Sequence, residues 1–365
     1  MKILYIVGNR PQFIKLAVLH QEARKHSEIE EYVLHTGQHF SKEMSDVFFE
    51  ELGIELPIIN LNIRSLPHAA MIGQMMVVLE PEMEKNQPDI VIVFGDTNTT
   101  LAGALTAKKL NIPLVHIEAG IRTFEESMPE ESNRYLTDRM ASVNFCCTQS
   151  GMENLKNEGF ETSQINSRIV FSGDLMLDVY NKFYNQFHSR NEIINNLRLN
   201  KNGYILFTLH RKQNLQQPGI LREIIEALDE INKQIPIVCP MHPNTKKLLG
   251  ENNIEYKFLS VPPLGYLDMQ ALLLHCKYVI TDSGGLQREA FFAKKPSLVL
   301  MDKPFWPEVM EFGPSLNSTS QKEEIISSFK RLQTLQKDFE FNPFGEGNAA
   351  EIIINYLLNS NSSDK

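Results

Sequence analysis

Two doubly wound α/β domains are the fold class that the sequence predicts, and three observations predict it. The chain has 365 residues, more than one hydrophobic core usually serves. Short apolar runs alternate with segments of helical periodicity through the first half, and the series then restarts. The runs are continuously apolar rather than alternating, as strands of a parallel sheet covered by helices on both faces must be. The expected domains are residues 1–175 and 176–348, two parallel sheets facing each other across a cleft. A last helix, Ala349–Leu358, is expected to cross back to the first domain, ahead of a disordered tail over 359–365.

Each element follows from its own signals. Ile3–Val7 is a short apolar strand ended by the polar turn Gly8-Asn9-Arg10, which reads as a first strand and not as a signal peptide. Pro11 suits the first position of the next helix, Pro11–Lys25. Strands are then expected at Tyr32–Thr36, Ile90–Phe94, Pro113–Ile117, Val143–Cys146 and Arg168–Phe171. The helices between them are Glu43–Glu51, Met71–Asn86, Thr99–Leu110 and Pro129–Met140. Asn181–Asn202 is polar and Asn-rich, and separates or decorates the halves. Beyond it come strands Tyr204–Leu209, Pro236–Cys239, Lys257–Val261, Tyr278–Thr281 and Ser297–Met301. The helices of this half are Leu221–Lys233, Leu267–His275, Gly285–Ala293 and Glu323–Leu335.

Composition excludes several function classes. The net charge of −9 argues against a general grip on nucleic acid or an anionic membrane. No stretch approaches the roughly 18 apolar residues of a membrane span. Four cysteines, Cys146, Cys147, Cys239 and Cys276, form no C-x-x-C pair, which favours buried thiols in a reducing compartment over disulfides or zinc. A cytoplasmic protein without a metal site is expected.

Ligands of such folds sit beyond the C-terminal ends of strands, and four stations there carry chemistry. "GNRPQFIK" sets Arg10 and Lys15 around a helix N-terminus, either a phosphate site or an ordinary turn with surface cations. "FGDTNTT" places Asp96 where a buried strand ends, as a working acid or as a helix cap. "FTLHRKQN" and "PMHPN" put His210 and His242 in corresponding loops of the second half, each as readily structural as functional. "VITDSGGLQREA" is the most specific station. Gly284 and Gly285 let backbone N–H groups approach an anion, Ser283 adds a donor, and Glu289 one turn on could accept two ribose hydroxyls. Neither a Walker lysine nor G-x-G-x-x-G is present, so ATPase and NAD-binding readings lack their signature.

Taken in order, "GNRPQFIK", "HTGQH", "GDTNTTLAGAL", "HIEAGIRT", "MPEESNR", "TLHR" and "TDSGGLQREA" resemble the non-hydrolysing UDP-N-acetylglucosamine 2-epimerase family over nearly the whole chain. The resemblance implies a glycosyltransferase-B-like fold, a homodimer and no cofactor. It also implies a reaction that eliminates UDP across C1–C2 of UDP-GlcNAc and adds it back to a 2-acetamidoglucal, giving UDP-ManNAc. Without a carbonyl the C2 proton is not acidic, and departure of UDP builds the oxocarbenium character that acidifies it. Inverting C2 then calls for proton removal on one face and delivery on the other, hence more than one acid–base group. By motif match Asp96, Glu118 and Glu130 correspond to the acidic catalytic residues and His210 to the catalytic histidine near the diphosphate. Arg10 and Lys15 match the phosphate side of the first domain, and Ser283, Gly284, Gly285 and Glu289 the UDP cradle, with His242 as a further contact.

The chain departs from the family pattern at several places. H-R-x-E-N reads "HRKQN", so Gln213 replaces the acid, and "RDTTERPE" reads "MDKPFWPE", with Met301, Lys303 and Pro304. "GQHFSKEMSDVFFEELGI" and the short "RTFEESMPEESNR" resemble the branch acting on UDP-2,3-diacetamido-2,3-dideoxyglucuronate, the second substrate reading. The "QHR" associated with activation by a second UDP-GlcNAc reads "QHF", Gln38–Phe40. A glycosyltransferase of the same fold is the reading from a different class; it would need a separate acceptor cleft. Of the acids in "HIEAGIRTFEESMPEESNR", Glu118 leaves its strand directly and Glu130 is singled out by the resemblance. Glu125 and Glu126 are expected in solvent, and Glu131 facing Tyr135 or solvent.

Overall fold

The computed structural model describes the chain apart from residues 38–52, 55–57, 64–65, 163–164, 304, 337–338 and 363–365. The expected helix Glu43–Glu51, the Gln38–Phe40 motif and Pro304 therefore lie outside the described residues. Two compact units form: unit 1 comprises Met1–Asn181 with Pro343–Lys365, and unit 2 comprises Lys182–Asn342.

Unit 1 is built on a parallel sheet of β1 (Lys2–Val7), β2 (Glu30–His35), β3 (Ile58–Asn60), β4 (Ile90–Phe94), β5 (Leu114–Ile117), β6 (Val143–Cys146) and β7 (Arg168–Phe171). Their order is β3-β2-β1-β4-β5-β6-β7, parallel in every register. Helices α1 (Arg10–Ala23), α2 (His68–Asn86), α3 (Asn98–Lys109), α4 (Pro129–Met140) and α5 (Gln149–Asn157) lie between them, and α6 (Leu175–Ser189) follows β7 and runs past the end of this segment at Asn181. Leu4, Ile6, Val91 and Val93 of the central strands pack with Met75, Leu79, Ala102 and Ala104 of α2 and α3 in one buried cluster. Strand order reverses between β1 and β4, so Gly8–Arg10 and Gly95–Asp96 emerge side by side at the switch point, where such sheets hold ligands.

Unit 2 repeats the design. Its strands are β8 (Ile205–Thr208), β9 (Ile237–Pro240), β10 (Leu259–Val261), β11 (Tyr278–Thr281), β12 (Ser297–Leu300) and β13 (Ser315–Ser318). They lie in the order β10-β9-β8-β11-β12-β13, again parallel. Helices α7 (Asn191–Asn196), α8 (Lys212–Leu215), α9 (Pro218–Asn232), α10 (Pro243–Glu251), α11 (Tyr266–His275), α12 (Gly284–Phe292), α13 (Pro307–Glu311) and α14 (Lys322–Thr334) intervene. α9 shows why it forms: Leu221, Ile224, Ile225, Leu228 and Ile231 recur at helical spacing and are all buried. The switch point of this unit lies between β8 and β11, so His210 and Asp282 leave adjacent strand ends.

The polar stretch Asn181–Asn202 is largely helical, with Phe183 and Phe187 of α6 one turn apart and buried, and Ile194 buried in α7. One expectation is corrected. The last helix, α15 (Ala349–Ser362), runs four residues past Leu358 into the stretch expected to be disordered.

α15 belongs to unit 1. Asp178 of α6 accepts the Ala349 and Ala350 amides at 3.0 and 2.8 Å, and burial pushes its carboxyl up to about 6 against those bonds. Tyr356 meets the Phe145 ring edge-on at 5.5 Å. All four cysteines are buried thiols outside any disulfide, and burial pushes Cys239 and Cys276 up to about 12, as inert core thiols require. Among the described residues no helix is long and apolar enough to cross a membrane.

Candidate active site

The site of unit 1 starts from a side chain that no motif singled out. Asn9 caps α1, and Gln12 completes the capping box by accepting the Gly8 amide at 2.7 Å and the Asn9 amide at 3.3 Å. The Gln12 amide nitrogen donates to the Phe94 carbonyl at 2.8 Å, Thr97 Oγ1 at 3.2 Å and Thr100 Oγ1 at 3.1 Å. One buried glutamine thus ties the exits of β1 and β4 together, which fixes the Gly8–Asn9 turn to the Phe94–Thr100 segment. α3 is capped by Thr97, so the cap reading of Asp96 does not apply and its carboxylate is available for other partners.

Asp96 is held by Arg134 of α4, whose Nε and Nη2 donate to Oδ2 at 3.0 and 2.6 Å. Asn133 donates to the Asp96 carbonyl at 2.8 Å. The third Arg134 nitrogen, Nη1, reaches Glu131 at 2.6 Å. Burial opposes the charge of Arg134, but Asp96 and Glu131 outweigh it and hold the guanidinium above its ordinary range. Glu131 is no bystander and does not face solvent. It accepts from the Thr123 amide at 3.1 Å, Thr123 Oγ1 at 3.0 Å and the Phe124 amide at 3.0 Å, and so holds the loop that follows β5. Phe124 itself is 68 % exposed and in the left-handed region at φ 54°.

Glu118 also leaves β5 in the left-handed region, at φ 68°, a conformation that carries strain for a residue with a side chain. Its carboxylate is ion-paired with Lys15, a lysine only 3 % exposed. The cation expected on the phosphate side is therefore given to a carboxylate. Glu130, half-buried in the first turn of α4, has no hydrogen bond to any described residue. Glu125 takes the Ser127 hydroxyl at 3.1 Å, and Glu126 is exposed.

Beneath these carboxylates lies a buried chain of charge. His116 Nε2 reaches the Gly95 carbonyl at 2.7 Å and Nδ1 reaches Asp138 at 2.6 Å. Arg122 closes on Asp138 at 2.7 Å and on Glu158 at 2.8 Å. Burial would raise the Asp138 carboxyl, but His116 and Arg122 hold it below the usual carboxylate range. The Gly95 turn and the Gly120 amide, which Asp138 also accepts at 3.3 Å, are thereby fixed on either side of Glu118.

In unit 2 the β11 exit organises the β8 exit. Asp282, fully buried, accepts the His210 amide at 3.0 Å and the Arg211 amide at 2.8 Å, with Asn214 at 3.2 Å. His210 Nδ1 lies 3.1 Å from the same carboxylate while its side chain is 51 % exposed. Burial would raise Asp282, yet the His210 bond and charge and the two amides hold it below its ordinary range. His242 caps α10, accepting the Asn244 amide on Nδ1 at 3.2 Å; burial and then the nearby His210 hold it below the ordinary histidine range.

Ser283 caps α12 by accepting the Leu286 amide at 3.3 Å. Gly284 has a packing reason: a Cβ there would lie 2.4 Å from the Phe305 ring. Trp306 donates to the Gly284 carbonyl at 2.7 Å, and Arg211 lies over Phe305 at 4.9 Å. The "FWPE" segment, which replaces polar residues of the family pattern, thus seals the start of α12 with rings. Gly285 is exposed and Glu289 half-buried one turn on.

Local sequence does not single out Gln12, Arg134 and Asp282, because each acts on a partner distant in sequence, nor Glu131, whose partners are near but whose place in a first helical turn suits any acid. Only Asp282 stands beside a local signal, the glycine turn. Among the described residues no group of three or more His, Cys, Asp or Glu side chains could hold a metal.

Known proteins resemble the chain over nearly its whole length. The family described as UDP-N-acetylglucosamine 2-epimerase matches residues 21–358. The chain is 41% identical over 360 residues to the UDP-2,3-diacetamido-2,3-dideoxy-D-glucuronate 2-epimerase of Pseudomonas aeruginosa, covering 98% of this chain and 99% of that protein. It is 37% identical to the UDP-N-acetylglucosamine 2-epimerase of Methanocaldococcus jannaschii, covering 98% and 99%. The crystal structure of the Methanocaldococcus jannaschii UDP-GlcNAc 2-epimerase in complex with UDP-GlcNAc and UDP is similar with a TM-score of 0.90 at 36% identity, covering 98% and 99%. That of the Neisseria meningitidis enzyme bound to UDP-GlcNAc gives 0.89 at 30% identity, covering 98% and 100%.

Proposed function

Since the chain belongs to the UDP-N-acetylglucosamine 2-epimerase family of isomerases, we propose that it is a non-hydrolysing 2-epimerase interconverting UDP-GlcNAc and UDP-ManNAc. The observation that carries the reading is the set of carboxylates at the β4 and β5 exits and the start of α4, in three different settings. Asp96 is clamped by Arg134, Glu118 is paired with Lys15, and Glu130 has no bond among the described residues. A reaction that takes a proton from C2 on one face and returns it on the other needs acid–base groups that are not equivalent.

In this reading the C1–O bond breaks with its electron pair passing to UDP, and a unit 1 carboxylate removes the C2 proton to leave 2-acetamidoglucal. Return of UDP to C1 and delivery of a proton to the opposite face of C2 complete the inversion. Arg10, at the N-terminus of α1, serves as an anion contact. The uridine diphosphate is assigned to unit 2, where the start of α12 offers Ser283, Gly284 and Gly285, Glu289 suits the ribose, and His210 and His242 stand by the leaving group. The protein works in the cytoplasm, where UDP-sugars are made. The UDP-2,3-diacetamido-2,3-dideoxyglucuronate substrate is the second reading, favoured by the 41% identity to the Pseudomonas aeruginosa enzyme.

Incubation with UDP-GlcNAc in D₂O, followed by proton NMR, is expected to give UDP-ManNAc carrying solvent deuterium at C2. Free ManNAc with UDP would replace epimerisation by hydrolysis. No turnover of UDP-GlcNAc, with deuterium exchange into the diacetamido uronate, would give the site to the second substrate.

The protein is also assigned as a homodimer. Support comes from α2, where Ala70, Gly73, Val77 and Pro81 are exposed at helical spacing and Val77 is 67 % exposed. Sedimentation equilibrium is expected to give twice the 41.8 kDa chain mass, and Val77→Asp to give the monomer. A wild-type monomer at micromolar concentration would refute it.

A further inference from the structure

We infer that Asp282 is a positioning residue that confines the proton chemistry of His210 to the imidazole Nε2. The inference rests on the assignment of His210 made above and goes beyond it to the atom that acts. Asp282 leaves β11 with its side chain at 0 % exposure and faces the β8 exit. Its Oδ1 is 3.1 Å from His210 Nδ1, and its two oxygens also take the His210 and Arg211 amides and the Asn214 side chain. Five contacts from donors hold a carboxylate below its ordinary range in spite of burial, so it is ionised and can only accept.

The consequence for the ring is a matter of valence. A carboxylate without a proton demands the hydrogen on Nδ1, so a neutral His210 carries its lone pair on Nε2. A second proton can then add only there. Because the His210 amide is bound to the same carboxylate as its ring, both the backbone and the imidazole plane are set by one group. The side chain is 51 % exposed, which leaves the edge opposite Asp282 to meet a ligand. Neighbouring groups do not compete for that role. His242 spends its Nδ1 on the Asn244 amide, and Arg211 is turned over the Phe305 ring. A departing diphosphate oxygen beside Nε2 would therefore meet a ring already in the right tautomer, the arrangement by which a buried carboxylate serves a catalytic histidine elsewhere.

Asp282 could instead do no more than tie the two strand exits through amides. Asp282→Asn separates these roles, because the asparagine oxygen still accepts the two amides while its NH₂ can no longer take a hydrogen from Nδ1. The test is ¹⁵N NMR of the full chain labelled at histidine, with His210→Asn identifying the His210 signals, alongside steady-state kinetics on the UDP-sugar. The wild type is expected to show the Nδ1–H tautomer, and Asp282→Asn to show Nε2–H. Its kcat should fall by about 10²–10³-fold while KM changes by less than about threefold. A wild-type Nε2–H tautomer overturns the inference whether or not the variant folds, as does a folded Asp282→Asn with unchanged kcat. Full turnover by His210→Asn would instead remove the assignment of His210 itself, an outcome distinct from either.

Discussion

Glu118→Gln is expected to lower turnover by about 10²–10⁴-fold and to weaken the fold in the same step. The first effect follows from the carboxylate at the β5 exit, the group that the glutamine keeps in shape but not in basicity. The second follows from its partner. Lys15 is 3 % exposed, and without the Glu118 carboxylate its ammonium is a buried charge that has lost its ion-pair partner. Removing one member of such a pair typically costs about 3 kcal/mol. Replacing Lys15 by Met in the Glu118→Gln background is therefore expected to recover most of the melting temperature and none of the activity. Thermal unfolding and the D₂O exchange assay on the single and double variants check this. Glu118→Gln with wild-type exchange into C2 would remove Glu118 from the chemistry, and a single variant as stable as the wild type would remove the ion pair from the stability.

Arg134→Met has the largest expected effect on stability, about 3–5 kcal/mol, together with loss of activity. Arg134 is 2 % exposed and serves two carboxylates at once, Asp96 by two nitrogens and Glu131 by the third. Removal of the guanidinium leaves both without their cation and releases the Thr123–Phe124 loop that Glu131 holds. Arg134→Lys should rescue little, because a single ammonium cannot span the two with the fork geometry of arginine. Urea unfolding and kinetics of both variants are the measurement. A lysine variant within about 1 kcal/mol of the wild type and fully active would show that charge alone, and not the fork, is what the site needs.

The sheets were legible in the sequence where strands are buried on both faces. Ile90–Phe94 and Tyr278–Thr281 are unbroken apolar or β-branched runs, and both stand centrally in their sheets. Two of the four outermost strands were not legible, since Ile58–Asn60 and Ser315–Ser318 are short and carry polar residues that an edge position tolerates. The positions of Asp96, Glu118, His210 and Ser283 at strand ends could be read directly, because a strand end is a local event. What each of them touches could not. Lys15 pairs with a residue 103 positions away, Gln12 bridges 82 positions to Phe94, and Asp282 reaches back 72 to His210. Such contacts are decided by strand order, which no local pattern reports. Glu131 shows the same limit within a short stretch. At the first turn of a helix an acid is favoured by the dipole alone, so its service to the Thr123–Phe124 loop had no separate signature.

The return of the chain to unit 1 governs the order in which the protein can be assembled. Residues 343–362 complete unit 1: the backbones at Gly173 and Phe344 touch, Asp178 takes the first amides of α15, and Tyr356 covers Phe145. Unit 2 is thus inserted between two parts of its neighbour. On a ribosome, all of Lys182–Asn342 is made before the closing segment appears, a delay of roughly 10–30 s at usual rates. Throughout that interval the Phe145 ring and the Asp178 carboxylate await their partners, while unit 2 already has every residue it needs. The unit that begins first is the one that finishes last.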